Sequence, residues 1–188
     1  MKRGAKEEIA ITSVRTRMGS VWILCTERGL RGVRIGADPK PSGEDARARG
    51  AKFIRRERWT DRARSELARY FEGRPVALEL PLDLAEGTEF EREVWTAARR
   101  VPHGTVASYA DVARGIGAPR ATRAVGNALG KNPVPIVVPC HRILHADLSI
   151  GGFSSGLPWK RFLLELERGQ LALEWRPRRR PSLFGRGD

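Results

Sequence analysis

The sequence predicts an α/β chain of the α+β kind, with a small N-terminal domain of β-sheet and helix before a mostly helical C-terminal domain that contains a helix-turn-helix. Short alternating apolar segments are concentrated in the first 35 positions, and helical apolar spacing dominates after residue 88. Residues 82–87 separate the two patterns and form the candidate linker. The predicted domains are residues 1–84 and 85–175, followed by a basic flexible tail over 176–188.

Three strands are predicted at the start of the chain, where β-branched and apolar residues alternate and turns containing Gly19 and Gly29 make a meander. These strands are residues 9–14, 21–25 and 30–35. Residues 38–50 are rich in Pro, Gly and charge and predict a loop with some helix in it. A helix is predicted over 60–73, with its apolar stripe on Leu67, Tyr70 and Phe71, and a further strand over 76–80.

The second half predicts short helices with clear start signals. Thr88 and Glu91 form a capping-box pattern before a helix that residues 101–104 end, and Ser108 to Asp111 open a second helix. A third helix is predicted to begin at Pro119 and end at Gly130, which makes a helix-turn-helix with the second. The last helix is predicted over 158–169, with Phe162, Leu163 and Leu166 facing inward.

The charge of the chain predicts an anionic partner. The net charge is +13 with a pI near 11, and residues 176–188 carry five Arg and one Asp, which leaves +9 on the rest. Such an excess favours nucleic acid, although a solvated basic surface has the same composition. The N-terminal residues are polar and no run of eighteen apolar residues occurs. We therefore expect an intracellular, cytoplasmic or nucleoid-associated protein (nuclear in a eukaryote) with no membrane partner.

Two cysteines in such a chain, Cys25 and Cys140, do not predict a disulfide framework. Cys25 ends an apolar run and is expected to fill the core. Cys140, His141 and His145 have poor spacing for zinc, so we expect neither a metal nor another cofactor.

The most informative segment is Pro139-Cys140-His141-Arg142, which follows a predicted short apolar strand at 136–138. A thiolate is the reactive form of cysteine, and a neighbouring imidazole helps to generate it. Pro139 fixes its own φ and so restrains the backbone that carries the thiol. The pattern indicates a placed nucleophile, and the alternative is a small buried hydrophobe that happens to be Cys.

The surroundings of this segment resemble the active-site region of the O6-alkylguanine-DNA alkyltransferases, also called methylated-DNA–protein-cysteine methyltransferases. The resemblance covers about half the chain, from near Phe90 to near Glu167, and its motifs occur in the family's order. They are residues 105–109, 123–129, 132–142, 152–157 and Lys160. The resemblance implies a ribonuclease-H-like N-terminal domain and a single-turnover transfer of an alkyl group from O6-alkylguanine, and from O4-alkylthymine, in duplex DNA to Cys140.

The resemblance also assigns roles around Cys140. It makes His141 the base that takes the thiol proton through a water, Glu167 the carboxylate that orients His141, and Asn132 a brace of the active-site loop. Glu165 competes with Glu167, but the two lie on different faces of a helix. Tyr109 would donate to the purine ring, Ser154 would lie near O6, and Lys160 would favour the thiolate. The main-chain carbonyls of Cys140 and Ile143 would receive the guanine amino group.

For DNA, the resemblance places the third helix in the minor groove. Arg123 would fill the gap left by a flipped nucleotide, while Arg120 and Lys131 would contact phosphates. Small or short residues at Ala121 and Thr122 allow a close approach to the groove. On residue pattern alone, this helix could be any surface helix, and Arg123 a solvated cation or the partner of a carboxylate. The expected partner is double-stranded DNA with alkylated guanine, bound by a monomer, with cooperative binding left open.

Two departures from the family pattern bear on the pocket. Ser155 stands where a glycine is usual, at the pocket rim, and Ile143 replaces a valine. The first bears on the tolerance for bulky alkyl groups. The alternative functions are a non-catalytic alkyltransferase-like protein, which lacks the nucleophilic cysteine, and a helix-turn-helix transcription factor in which Cys140 is merely buried.

Overall fold

A computed structural model describes residues 7–36 and 51–169, except for the side chains of 51–53. The chain forms two compact units, residues 1–83 and 84–188. The boundary between the units lies after residue 83, and the boundary predicted from the sequence lies one residue later, between 84 and 85. The predicted loop over 38–50 and the predicted tail over 176–188 lie outside the described residues.

The N-terminal unit contains a four-stranded sheet in the order β3-β2-β1-β4. Its strands are β1 (Glu7–Thr16), β2 (Gly19–Thr26), β3 (Gly29–Ile35) and β4 (Ala51–Ile54). The first three strands form the predicted meander, with antiparallel pairs such as Val14 with Val21. β4 pairs with β1 in parallel and was not predicted, because four residues carry too little alternation to be distinguished from a loop.

Helix α1 (Glu57–Phe71) covers one face of this sheet. Its buried residues, Thr60, Ala63, Leu67 and Tyr70, recur at helical spacing, which gives one apolar stripe. Cys25 is 1% exposed and belongs to the same core, as the sequence predicted. Burial raises the pKa of the Cys25 thiol to about 11, so it stays protonated at neutral pH.

The predicted strand over 76–80 is wrong. Leu78 adopts a left-handed backbone with φ of 49°, which an extended strand cannot contain, although Leu78 and Leu80 are both buried. The chain joins the sheet only afterwards, where Leu30 donates its N–H to the carbonyl of Pro81. Asp83, from the predicted linker, is buried and accepts a hydrogen bond from Thr26. The start of the predicted linker is therefore part of the N-terminal unit.

The described residues of the C-terminal unit contain four helices. The sequence predicted the start of the first two correctly. The side chains of Thr88 and Ser108 accept from the backbone N–H of Glu91 and Asp111. In return, the carboxylates of Glu91 and Asp111 accept from the backbone N–H of Thr88 and Ser108, so both capping boxes are complete. The helices are α2 (Glu89–Arg99), α3 (Tyr109–Gly115), α4 (Thr122–Gly130) and α5 (Leu157–Glu167). None of the described helices is long and apolar enough to cross a membrane.

The helix-turn-helix consists of α3 and α4, with α2 packed against both. Trp95 of α2 donates its indole N–H to the carbonyl of Ala128 across 2.8 Å, which fixes the end of α4. α4 begins at Thr122, three residues after the predicted start. Pro119 lies instead in a turn that Ala121 closes by donating to Ala118, and proline suits the second position of such a turn.

The approach to the Cys140 segment is a turn rather than the predicted strand. Ile136 has a left-handed φ of 78°, a costly conformation for a β-branched residue, and it is 1% exposed. Val138 donates its N–H to the carbonyl of Val134, which closes the turn. A 3₁₀ turn (Cys140–Arg142) follows, and then β6 (Ile143–Leu144), which pairs in parallel with β5 (Ala107–Ser108).

Candidate functional site

A cavity of about 330 Å³ in the C-terminal unit contains the Cys140 thiol in its wall. The helix-turn-helix forms one side of the cavity and the segment after β6 forms the other. The lining residues are Tyr109, Gly126, Leu129, Gly130, Cys140, Gly152, Phe153 and Ser154. The volume is that of a small-molecule site, and glycines on both sides leave room for a planar group.

Asn132 holds the turn that carries Cys140. Its side-chain amide donates to the carbonyl of Val138 at 2.8 Å and to Sγ of Cys140 at 3.2 Å. Its side-chain oxygen accepts from the N–H of Val134 at 3.0 Å. One buried amide thus satisfies both ends of the strained turn at Ile136 and also contacts the thiol.

Burial raises the pKa of the Cys140 thiol above its ordinary value, while the Asn132 amide and the Lys160 ammonium act in the opposite direction. The thiol is therefore protonated at rest and requires a base to become nucleophilic. Lys160 is fully buried and donates from Nζ to the carbonyls of Ile143 at 2.8 Å and Gly152 at 3.3 Å. Burial lowers the pKa of Lys160 to about 8, so the ammonium still predominates at neutral pH.

His141 and Glu167 form a buried pair, with 2.7 Å between Nε2 and Oε1. His141 and Arg142 hold the pKa of Glu167 well below its ordinary value against the opposing effect of burial, so Glu167 is a carboxylate that can only accept. Nε2 of His141 must then carry the hydrogen, and Nδ1 keeps a free lone pair. Burial lowers the pKa of His141, which keeps the ring neutral at rest. Nδ1 is buried without a hydrogen-bond partner among the described residues.

Arg142, for which the sequence predicted no role, is part of this site. Its guanidinium donates to Glu167 twice, from Nε and Nη2 at 2.9 Å each, and to the carbonyl of Val101 at 2.5 Å. Gly104 also donates its N–H to Glu167 at 3.1 Å. The signal available in the sequence was an arginine directly after His141 and between the apolar residues 136–138 and 143–144, because a cation buried there must have an anion as partner.

Two further predicted substrate contacts face the cavity. Tyr109 is half-buried in its wall, and burial raises the pKa of its hydroxyl, which keeps the phenol a hydrogen-bond donor. Ser154 is exposed at the rim. Ile143 is fully buried, and its carbonyl, predicted to receive an amino group, already accepts from Lys160. A carbonyl oxygen has a second lone pair, so both donors can be accommodated.

The predicted DNA-binding residues are on or beside α4. Arg120, Thr122 and Arg123 are exposed, and neither arginine forms an ion pair within the parts of the chain that the structure describes. Ala121 is the residue immediately before the helix. Lys131 is exposed, and its ammonium pairs with Glu91 at 2.7 Å, so a phosphate at this position would compete with that carboxylate. The sequence could not show this pair, since forty residues separate its members.

This arrangement defines a class of protein: a helix-turn-helix unit with a cysteine in the wall of a cavity beside its second helix. Family models described as the ribonuclease-like domain and the DNA binding domain of 6-O-methylguanine DNA methyltransferase match residues 9–84 and 89–169. The chain belongs to the 6-O-methylguanine DNA methyltransferase family. The predicted family and the predicted order of its two domains are thereby confirmed.

Individual relatives agree with this assignment. A methylated-DNA–protein-cysteine methyltransferase of Methanosarcina acetivorans is 41% identical over 151 residues, which are 80% of this chain and 92% of that protein. The crystal structure of Mycobacterium tuberculosis OGT in complex with DNA has a TM-score of 0.73 at 32% identity, covering 85% of this chain and 93% of that one. The O6-methylguanine-DNA methyltransferase of Pyrococcus kodakaraensis KOD1 has a TM-score of 0.60 at 27% identity, covering 85% and 98%.

Proposed function

We propose that this protein repairs alkylated DNA by direct reversal, transferring an alkyl group from O6 of guanine in duplex DNA to Sγ of Cys140. The observation that carries the proposal is that Cys140 lies in the wall of a cavity beside α4. His141, the residue after Cys140, forms a buried hydrogen bond with Glu167 in the same unit. O4-alkylthymine presents an alkyl–oxygen bond of the same kind and is the proposed second substrate.

The first step is activation of the thiol. The proton leaves Sγ and reaches Nδ1 of His141 through a water, and Glu167 stabilises the resulting imidazolium. Lys160 and the Asn132 amide then stabilise the thiolate. The buried, unpartnered Nδ1 supports this route, because it is the one His141 nitrogen that can accept a proton.

The second step is an in-line displacement at the alkyl carbon. The thiolate forms the carbon–sulfur bond while the carbon–O6 bond breaks, and its electron pair stays with the purine. The Tyr109 hydroxyl donates to the purine ring and offsets the developing charge. The purine then takes up one proton, in net the one that left Sγ and that the His141 imidazolium releases, which gives restored guanine and an S-alkylcysteine. A thioether has no easy leaving path, so each molecule acts once and is consumed.

DNA delivers the lesion to the cavity by base flipping. A thiol held in a pocket cannot reach O6 in a stacked pair, and extrusion costs a few kcal/mol, least for a poorly paired base. In this proposal α4 lies in the minor groove, Arg123 fills the gap in the base stack, and Arg120 contacts a phosphate. The exposure of both arginines and the small residues at the start of α4 support this placement. A monomer in the compartment that holds the genome is sufficient for it.

The two alternative functions predict different chemistry. An alkyltransferase-like protein would lack the nucleophile, and Cys140 is present. DNA binding by a transcription factor requires neither a cavity lined by Cys140 nor the buried pair of His141 and Glu167.

Mass spectrometry after incubation with an O6-methylguanine duplex tests the proposal. We expect the mass of one methyl group on the Cys140 peptide, at one equivalent per molecule and without turnover. Cys140→Ala should abolish transfer and spare DNA affinity, while Cys25→Ala, which removes a buried core thiol, is the matched control and should still react. Unchanged protein and DNA masses would refute the proposal.

A further inference from the structure

His145 lies beside Tyr109, a residue of the cavity wall, and has no part in the proposed transfer or in the proposed DNA contacts. The two rings have centroids 5.5 Å apart and are tilted by 50°. This separation is within the range in which aromatic rings attract each other. The contact therefore constrains the ring to which the proposed function gives the proton-donating role.

The backbone sets this contact. β5 and β6 pair in parallel with Ala107 opposite Ile143 and Ser108 opposite Leu144. Tyr109 directly follows one strand and His145 directly follows the other, so the next pair in the same register is Tyr109 with His145. The two-stranded sheet thus aligns the ring at the cavity with the imidazole.

The loop after β6 then closes around both rings. His145 donates its N–H to the carbonyl of Ser149 and accepts at its own carbonyl from Leu148. The side chain of Asp147 accepts from Ser149, which tightens the same turn and leaves that carboxylate close enough to His145 to interact with it electrostatically. His145 is exposed, but its backbone is fixed at both ends.

Gly151 shows how closely the two polar tips approach. A Cβ built on Gly151 would lie 2.7 Å from the Tyr109 hydroxyl and 3.1 Å from Nε2 of His145. The hydroxyl and Nε2 are therefore no more than 5.8 Å apart, because both surround that one point. The tight approach of Gly151 and the ring of His145 together leave the phenol little freedom to rotate.

We propose that His145 is a positioning residue for Tyr109: its ring packs against the phenol and keeps the hydroxyl directed at the purine bound in the cavity. This inference rests on the proposed function for its kinetic consequence but not for the contact itself. It predicts that loss of the imidazole ring slows alkyl transfer and leaves DNA binding unchanged, because His145 acts on the donor and not on the duplex.

The kinetic test compares His145→Ala with His145→Phe, which keeps a ring at this exposed position. We expect the single-turnover rate at saturating O6-methylguanine duplex to fall about fivefold in the alanine variant and to stay within about twofold in the phenylalanine variant, with unchanged DNA affinity in both. In a Tyr109→Phe background, His145→Ala should slow the reaction no further. An equal slowing in that background, or an alanine variant as fast as the parent, would overturn the inference.

A spectroscopic test does not depend on activity. The chain contains two tyrosines, Tyr70 and Tyr109, so protein labelled with 3-fluorotyrosine gives two ¹⁹F resonances, which Tyr109→Phe assigns. His145→Ala should move or broaden the Tyr109 resonance and leave that of Tyr70, in the other unit, unchanged. An unchanged Tyr109 resonance would reject the positioning role even in an active protein. Absence of transfer by the parent would instead refute the proposed function, and the resonance would still test the contact.

Discussion

Arg142 binds Glu167 through two hydrogen bonds of 2.9 Å, and it directly follows the histidine that the same carboxylate orients. The 3₁₀ turn that presents Cys140 to the cavity is thereby tied to the end of α5 by two consecutive side chains. Because Arg142 is always charged, Glu167 remains ionised, and an ionised Glu167 fixes the hydrogen of His141 on Nε2. The tautomer that a general base needs is therefore set by a residue that does not touch the thiol.

Arg142→Lys should destabilise the protein. A lysine keeps the charge but loses the paired geometry, and a buried anion left partly unpartnered is costly, so we expect a loss of about 2–4 kcal/mol in the free energy of unfolding at pH 7. Urea denaturation measures it. Equal stability of the two proteins would show that the paired geometry contributes nothing.

The same pair predicts a dependence of stability on pH. The pKa of Glu167 is lower in the folded than in the unfolded protein, so its contribution is present at neutral pH and is lost as the pH falls below about 4.3, the ordinary value for Glu. Arg142→Met should raise the folded pKa of Glu167 and shrink this contribution. The difference in unfolding free energy between the parent and the variant should then narrow from pH 6 to pH 3. If the difference in unfolding free energy is the same at pH 6 and pH 3, Arg142 does not hold the pKa of Glu167 low.

Glu167→Gln should slow alkyl transfer about tenfold to a hundredfold, because an amide no longer enforces the Nε2–H form of His141 or stabilises its imidazolium. Glu165→Gln is the matched control, since this residue is two positions away on the same helix and its side chain forms no hydrogen bond or ion pair with His141 in the described structure. It should react within about twofold of the parent. Single-turnover rates at saturating duplex decide the matter, and similar losses in both variants would remove Glu167 from the proposed machinery.

Lys160→Met should raise the pKa of the Cys140 thiol further, because the Lys160 cation favours the thiolate and the variant removes it. The rate at which iodoacetamide modifies the Cys140 peptide, followed against pH, gives this pKa. Cys25, with a pKa of about 11, serves as a slow internal reference. Lys131→Met removes an exposed cation that pairs with Glu91 and should leave the titration unchanged. If Lys160→Met leaves the pKa of the Cys140 thiol unchanged, the Lys160 ammonium has a structural role only.

Arg123→Ala should weaken repair of duplex DNA far more than reaction with the free base O6-benzylguanine, because the free base needs no flipping. Arg120→Ala should instead lower duplex affinity at every sequence and reduce the salt dependence of binding by about one counterion. Second-order rate constants with both substrates, and binding at two salt concentrations, separate the roles. Equal losses of Arg123→Ala on duplex and free base would refute the proposed insertion.

Local chemistry made the helix starts of this protein predictable. The capping boxes at Thr88 and Ser108 use residues three positions apart, so the sequence contains all of the interaction. The sheet meander follows from alternation and glycine turns in the same way. The family motif around Cys140 was readable because its residues are contiguous or nearly so.

Contacts between distant residues were not readable. The left-handed backbone of Leu78 and Ile136 replaced two strands that their apolar patterns predicted, and both side chains are buried in the core of their unit, which the local pattern does not show. Lys131 was predicted to contact a phosphate, and the sequence could not show that the tertiary fold also brings Glu91 to its ammonium. By itself the sequence determined which side chains could do chemistry. Only the tertiary structure decided which nitrogen of His141 can accept a proton and which ring Tyr109 packs against. The first depends on Glu167, 26 residues from His141, and the second on His145, 36 residues from Tyr109, and only the fold brings these atoms together.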